Sequence, residues 1–339
     1  MILARPRSAA ASLVTSRAQR QDGRMLRPTV YLLLLGGLWG LAFSLAKIAI
    51  TQGVPPLGYV WWQSAGAGVL VLAICAARGT LPRLTSAHVL HYGVTGALGI
   101  AFPNACLFLV IDRLPAGTVA LMSTLVPLIT YGLSLSIQLE RFHPWKLGGL
   151  LLGLLGAAII AADRGGIGGE AWLIAIALLG PLGYAATNVF SSARTRPPGD
   201  SLAFAGGMLM ASALLMTPLV LALGAFHRPV LSLPVSAADW AILGQIVISS
   251  VAYMLFFEII RIAGGVFFSQ TGYVVGLMGM AWGFLLFGER PSALMVLAVV
   301  SIFAGLALVN RAQRQALAPA RHPPDAPGAT PRAPDQDRG

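Results

Sequence analysis

Between Thr29 and Asn310 the chain is a run of apolar stretches, each about 20 residues long and separated by short breaks. A helix of that length crosses the roughly 30 Å of hydrocarbon in a bilayer. The stretches fall at 29–50, 57–77, 88–111, 114–138, 145–163, 170–191, 201–223, 239–261, 264–287 and 291–310. Gly, Pro and charged residues mark the breaks, as at Val54-Pro55-Pro56, Arg164-Gly165-Gly166 and Arg196-Pro197-Pro198. In lipid only helices and closed barrels satisfy their backbone groups. Continuous apolar runs, rather than alternating ten-residue ones, select helices. The expected fold is therefore an all-α integral membrane protein with ten transmembrane helices. Composition agrees, with 56% apolar and 10% charged residues, against roughly 25% charged in a soluble domain. So few charges cannot cover the surface of a soluble protein of this size.

A formal net charge of +11 would ordinarily suggest a nucleic-acid partner. Its distribution argues otherwise. In residues 1–28, Arg5, Arg7, Arg17, Arg20, Arg24 and Arg27 stand against Asp22, a balance of +5. In residues 311–339, Arg311, Arg314, Arg321, Arg332 and Arg338 stand against Asp325, Asp335 and Asp337, a balance of +2. Neither tail holds an aromatic residue, and a nucleic-acid face interleaves the two. The C-terminal tail, with six prolines, is expected to be disordered. The N-terminal tail lacks the apolar core of a secretory signal and reads as a disordered extension, with Met25 as the expected start. Lys and Arg in the short loops set orientation. With the N-terminus inside, inner loops carry Arg78, Arg83, Arg141, Lys146, Arg194, Arg196 and Arg261, and outer loops carry Arg113, Arg164, Arg228 and Arg290. Both tails are then cytoplasmic.

Small residues at four-residue spacing let membrane helices approach closely, as at Gly36/Gly40, Ser64/Gly68, Gly149/Gly153 and Ser301/Gly305. In the ninth span Gly272, Gly276, Gly279 and Gly283 form one stripe, with Gln270, Tyr273, Leu277 and Phe284 on another. That division predicts one packing face and one lining face.

The two halves echo each other. Leu107-Phe108 with Arg113 corresponds to Leu255-Phe256 with Arg261, and Glu140-Arg141 to Glu289-Arg290. Gly156 corresponds to Gly305, Pro55 to Pro198, and more loosely Trp39-Gly40 to Leu182-Gly183. Two units are expected, residues 29–163 and 170–310. With five spans in each, the second runs through the membrane upside down relative to the first. Inverted repeats are the architecture of secondary transporters, which hold substrate between the halves and expose it to each side in turn.

On these residues the chain resembles the drug/metabolite transporter superfamily, specifically the EamA-type ten-helix permeases. The resemblance covers about residues 29–310 and rests on Trp39-Gly40, Pro127, Glu140, Glu289, Gly156 and Gly305. It implies an exporter of small metabolites, commonly amino acids or related compounds, in the inner membrane. Two positions depart from the family pattern: Val275 stands where the ninth helix often has Pro, and Leu41-Ala42 replaces a frequent polar pair.

Charge within a span is costly and marks function by default. Lys47, on one face with Trp39 and Phe43, either snorkels to the headgroups or draws a carboxylate-bearing substrate. Glu258 either pairs with Arg261 or couples protons. Glu140 and Glu289 are expected to pair with a neighbouring Arg or a helix end. Neutral polar residues are the better candidates for a cavity lining. Tyr184, Thr187, Asn188 and Ser191 share a face of the sixth span, and Gln245, Ser249 and Tyr253 a face of the eighth. Gln270 and Tyr273 lie in the ninth, Asn104 in the third, Gln63 in the second, and Thr124 and Tyr131 in the fourth. Pro103, Pro127 and Pro181 are expected to interrupt their helices.

The rival readings are an integral membrane enzyme and a flippase for lipid-linked substrates. His88 and His91 have a metal-like spacing but no third ligand, no inner loop offers an acidic cluster for magnesium, and neither a nucleophile elbow nor a phosphate-binding loop is present. Cys75 and Cys106 lie in apolar runs and read as packing residues. No enzyme activity, metal or cofactor is expected. The expected partners are a small-molecule substrate and the bilayer, without nucleic acid; a homodimer is compatible with these features.

Overall fold

The computed structural model describes residues 7–163, 171–193, 197–229, 234–268 and 271–317. Its helices are α1 (Arg7–Thr51), α2 (Pro56–Ala77), α3 (Ser86–Gly96), α4 (Phe102–Phe108), α5 (Ala116–Met122), α6 (Val126–Ser136), α7 (Pro144–Asp163), α8 (Ala171–Ala193), α9 (Ser201–Ala222), α10 (Ala237–Phe268), α11 (Thr271–Phe287) and α12 (Ala293–Leu317). A π turn at Ala97–Ala101 joins α3 to α4, and a 3-10 turn at Ser123–Leu125 joins α5 to α6. Among the described residues, eight stretches are long and apolar enough to cross a membrane, and Thr271–Phe287 is a shorter apolar helix. The chain is an all-helical integral membrane protein. Leu214, Leu219, Leu221, Leu285 and Val300 are exposed on it, as befits side chains that meet lipid rather than water.

Four details differ from the sequence expectation. Helix α1 starts at Arg7, so residues 7–28 continue the first span as helix where a disordered tail was expected. Helix α10 runs on to Phe268, through Gly264-Gly265, where a break was expected. Glycine weakens a helix but removes no backbone donor, so it does not by itself end one. The third and fourth spans separate over residues 109–115 rather than at a near-absent loop. Finally, Pro181 is carried inside α8 without a break. Pro103 and Pro127 do sit at breaks, in the first turns of α4 and α6 beside the π and 3-10 turns. There the missing N–H frees a carbonyl one turn back, and the backbone widens or tightens around it.

The helices pack in a pattern that pairs the two halves. The strongest contacts are α7 with α12, α2 with α9, α5 with α11, α1 with α11 and with α10, α4 and α6 with α8, α3 with α9, and α2 with α10. Match the first five helical stretches in order with the last five. Then α7–α12, α2–α9 and α5–α11 map onto themselves. The pair α1–α11 maps onto α6–α8, α1–α10 onto α4–α8, and α2–α10 onto α3–α9. Every strong contact has its counterpart.

Glycines permit the closest of these approaches. A Cβ on Gly149 would run into the carbonyl oxygen of Gly305, and one on Gly305 into that of Gly149. Gly156, the other repeat-matched glycine, faces Ile302 and Ala298 across the same α7–α12 contact. Gly40 of α1 meets the backbone of α11 at Gly279. Ser64 of α2 lies across from Ser212 of α9, their hydroxyls 3.0 Å apart. The spacing read from the sequence is thus placed on helix contacts.

Candidate functional site

The helices that meet across the two halves carry an aromatic and polar seam. Trp39 of α1 lies edge-on to Tyr253 of α10 with ring centroids 6.3 Å apart, and touches Phe256 at 6.2 Å and Phe268 at 6.3 Å. On the exchange-related contact, the Tyr184 hydroxyl of α8 donates to Asn104 Oδ1 of α4 at 2.7 Å. Gln245 of α10 is buried and donates to Ser249 Oγ at 3.2 Å, one turn on. Gln63 of α2 is buried as well. Five residues singled out in the sequence (Trp39, Asn104, Tyr184, Gln245 and Tyr253) therefore sit on helices that contact one another between the halves. Neutral hydrogen-bonding groups beside aromatic faces can hold a small polar solute and fix its orientation.

The two ends of the bundle are tied by charge. At the end where α1 finishes, the Lys47 ammonium donates to Glu289 Oε1 at 2.8 Å and to the Leu114 carbonyl at 3.1 Å. Glu289 also accepts from the amides of Ala116 at 2.8 Å and Gly117 at 3.1 Å, in the first turn of α5. A carboxylate there satisfies helix-end donors and complements the helix dipole. Lys47 is therefore neither snorkelling nor free to meet a substrate carboxylate; it neutralises Glu289. The helix end expected for Glu289 is found across the chain, on α5. At the same end Asp239 accepts from His227 Nε2 at 3.0 Å and from Ser236 Oγ at 2.8 Å.

At the opposite end the Glu258 carboxylate accepts from Arg261 Nε at 2.8 Å and Nη2 at 2.7 Å, and from Arg27 Nη2 at 3.3 Å. The local pair with Arg261 read from the sequence is present, with a second guanidinium supplied by α1. Glu140 pairs with Lys146. Tyr131 belongs to this corner too: its hydroxyl accepts from the His143 amide at 3.0 Å and the Lys146 ammonium lies over its ring. His88 bonds Thr85 Oγ1 at 2.7 Å through Nδ1 and the Pro198 carbonyl at 3.2 Å through Nε2.

Other sequence candidates are absorbed by packing. Thr124 donates to the Leu121 carbonyl at 2.7 Å, and its methyl occupies the space above Gly276. Asn188 donates to Thr130 Oγ1 at 3.3 Å, linking α8 to α6. Tyr273 accepts from Asn310 Nδ2 at 2.6 Å and stacks on Phe303, so it faces α12. Leu277 and Phe284, expected with it on a lining face, are exposed. Gln270 lies outside the described residues. The sequence reading missed Tyr59, which is fully buried and meets Phe108 edge to face with ring centroids 5.4 Å apart, and the aromatic wall completed by Phe268. An aromatic residue in an apolar run carries no signal of its own until its neighbours are known.

Residues 27–162 match the EamA-like transporter family. Over 279 residues the chain is 29% identical to the uncharacterized inner membrane transporter YedA of Escherichia coli strain K12, covering 80% of this chain and 87% of YedA. A probable biotin transporter of Pseudomonas aeruginosa PAO1 is 32% identical over 140 residues, covering 41% of this chain and 46% of that protein. A solved crystal structure aligns with a TM-score of 0.57 at 21% identity, over 87% of this chain and 99% of the other, and shares the fold.

Proposed function

We propose, from the match of residues 27–162 to the EamA-like transporter family and the likeness to YedA over 80% of the chain, that the protein is an EamA-type permease of the drug/metabolite transporter superfamily, a non-enzymatic carrier in the inner membrane that exports an amino acid or related compound by alternating access. The moving parts would be the two five-helix units, residues 29–163 and 170–310, inverted relative to each other, with both termini cytoplasmic. The observation that carries this reading is the exchange of helix contacts between halves: each strong contact on one side has a counterpart on the other. A molecule built so can favour one opening or the other by swapping which set of equivalent contacts is tight. Trp39, Asn104, Tyr184, Gln245 and Tyr253 lie on the helices that make those contacts and would line the route.

Reconstitution into proteoliposomes tests the proposal. Labelled amino acids are offered one at a time, with and without a pH gradient, and efflux is followed with unlabelled solute on the far side. Saturable flux stimulated from the trans side is expected, since an alternating carrier returns faster when loaded. Flux that ignores trans solute would count against alternating access, and absence of movement for every amino acid under every gradient would sink the choice of cargo.

A further inference from the structure

Two buried side chains from opposite halves hold hydrogen-bond acceptors that no group among the described residues meets. Gln63 is 7% exposed and Gln245 is 2% exposed, and the Oε1 atom of each is buried with no hydrogen-bond partner. The Gln245 amide is oriented by Ser249, whose Oγ accepts from its Nε2, and this leaves Oε1 as the unmet end. Unmet buried polar groups are expensive in any protein interior and more so in one surrounded by lipid.

The two glutamines belong to one neighbourhood. Helices α2 and α10 pack against each other, and a Cβ on Gly66 would run into the Ile246 side chain. Both helices begin at the same end of the bundle: Trp62 Nε1 donates to the His227 carbonyl at 2.9 Å, and His227 bonds Asp239 in the first turn of α10. Gln63 is seven residues into α2 and Gln245 eight residues into α10, a depth of about 10–12 Å for each at 1.5 Å per residue. On α10, Gly244 lies against Leu45 of α1 and Ile246 against Gly66 of α2, while Val247 is exposed. Gln245 therefore points between α1 and α2, toward the seam.

Charge is missing from that neighbourhood. Among the described residues, the charged groups within the spans are held at the ends: Lys47 by Glu289, Lys146 by Glu140, Glu258 by Arg261 and Arg27, and Asp239 by His227. None is left to balance a net charge on a bound solute. Deeper along α10, eight residues past Gln245, stands Tyr253 against Trp39.

We propose that Gln63 and Gln245 form the polar end of the cargo site and select a small net-uncharged solute, zwitterion or carboxamide, that donates N–H groups to both amide oxygens and lays an apolar body toward Trp39 and Tyr253. This rests on the transporter reading above and narrows its substrate class. It gives two unmet acceptors, one from each half, a common ligand.

The test is counterflow in proteoliposomes with four labelled probes: L-phenylalanine, nicotinamide, L-glutamate and L-lysine. The two net-uncharged probes should be carried and the two net-charged ones excluded. Gln63→Leu and Gln245→Leu should each raise half-saturation for the carried probes about tenfold, as expected for one lost hydrogen bond to a solute. Gln245→Glu keeps the volume and adds a carboxylate, and should admit lysine, a change of selectivity that a purely structural role would not produce. Glutamate carried as well as the net-uncharged probes would overturn the inference. So would unchanged half-saturation in well-folded Gln63→Leu and Gln245→Leu. If the wild type exchanges charged solutes alone, the transporter reading survives and this assignment falls; if it exchanges nothing, the cargo proposal of the preceding section falls with it.

Discussion

Removing the ammonium of Lys47 would leave the Glu289 carboxylate with only the Ala116 and Gly117 amides of α5. The pair is largely withdrawn from solvent, at 17% and 16% side-chain exposure, so its loss strands a charge. Lys47→Met is expected to lower stability by about 1.5–3 kcal/mol, the range for a lost hydrogen bond to a charged group, read as thermal unfolding in detergent. Because the partners are in contact, adding Glu289→Gln should restore part of that loss rather than double it; strict additivity would show that the two do not interact. Glu258 has both carboxylate oxygens engaged by guanidinium groups. Glu258→Gln is therefore expected to keep any pH-driven flux, and abolition of that flux would restore a proton-coupling role. At this scale the sequence was legible in kind and not in partner. Spacing put Glu258 three residues from Arg261, so that contact could be read. Lys47 and Glu289 are 242 residues apart, and no local pattern connects them. Tyr131 and Thr124 shared a helical face in the sequence, yet one reaches a loop amide and the other, within the 3-10 turn between α5 and α6, a helix crossing.

Helices were more legible than side chains. Their existence follows from hydropathy over about 20 residues, a quantity that averages out local detail. Their ends follow from single residues, and there the reading slipped, as at Gly264-Gly265. Small-residue spacing identified which helix faces pack without naming their partners. The tightest case is Gly149 against Gly305, where each glycine occupies the place a side chain would need. Gly305→Leu should cost about 1–3 kcal/mol by overpacking, as should Gly149→Leu. Gly148→Leu, one residue away and with only the tip of Leu308 near, 3.9 Å from its Cβ position, should cost much less. Equal losses at Gly148 and Gly149 would mean that the close contact is not what those glycines serve.

For the whole molecule, the basic excess concentrated in the tails and in one set of loops predicts an orientation. Reporter fusions should find both termini in the cytoplasm, with the loop holding Arg113 and the segment 223–236 outside. A periplasmic C-terminus with a cytoplasmic N-terminus would overturn the even number of spans, and both termini in the periplasm would overturn the orientation. A repeat could be proposed from the sequence because a handful of residues recur in order. How the halves interlock could not, since contact between α1 and α11 or α4 and α8 joins residues that share no pattern.

The contact pattern sorts positions by what a substitution can do. Contacts such as α7–α12 and α2–α9 are their own counterparts, so an alternating carrier meets them unchanged whichever side it opens to. A change there acts on both states alike and moves only overall stability. Under the alternating access proposed above, the contacts α1–α10 and α4–α8 would trade places when the opening reverses, and a change in one would have no matching change in the other. Trp39, Tyr253, Asn104 and Tyr184 all lie on this second kind of contact. Substitutions at these four should bias the resting orientation of the carrier, and a label that reports accessibility from one side would register them as a shift in population even in the absence of solute.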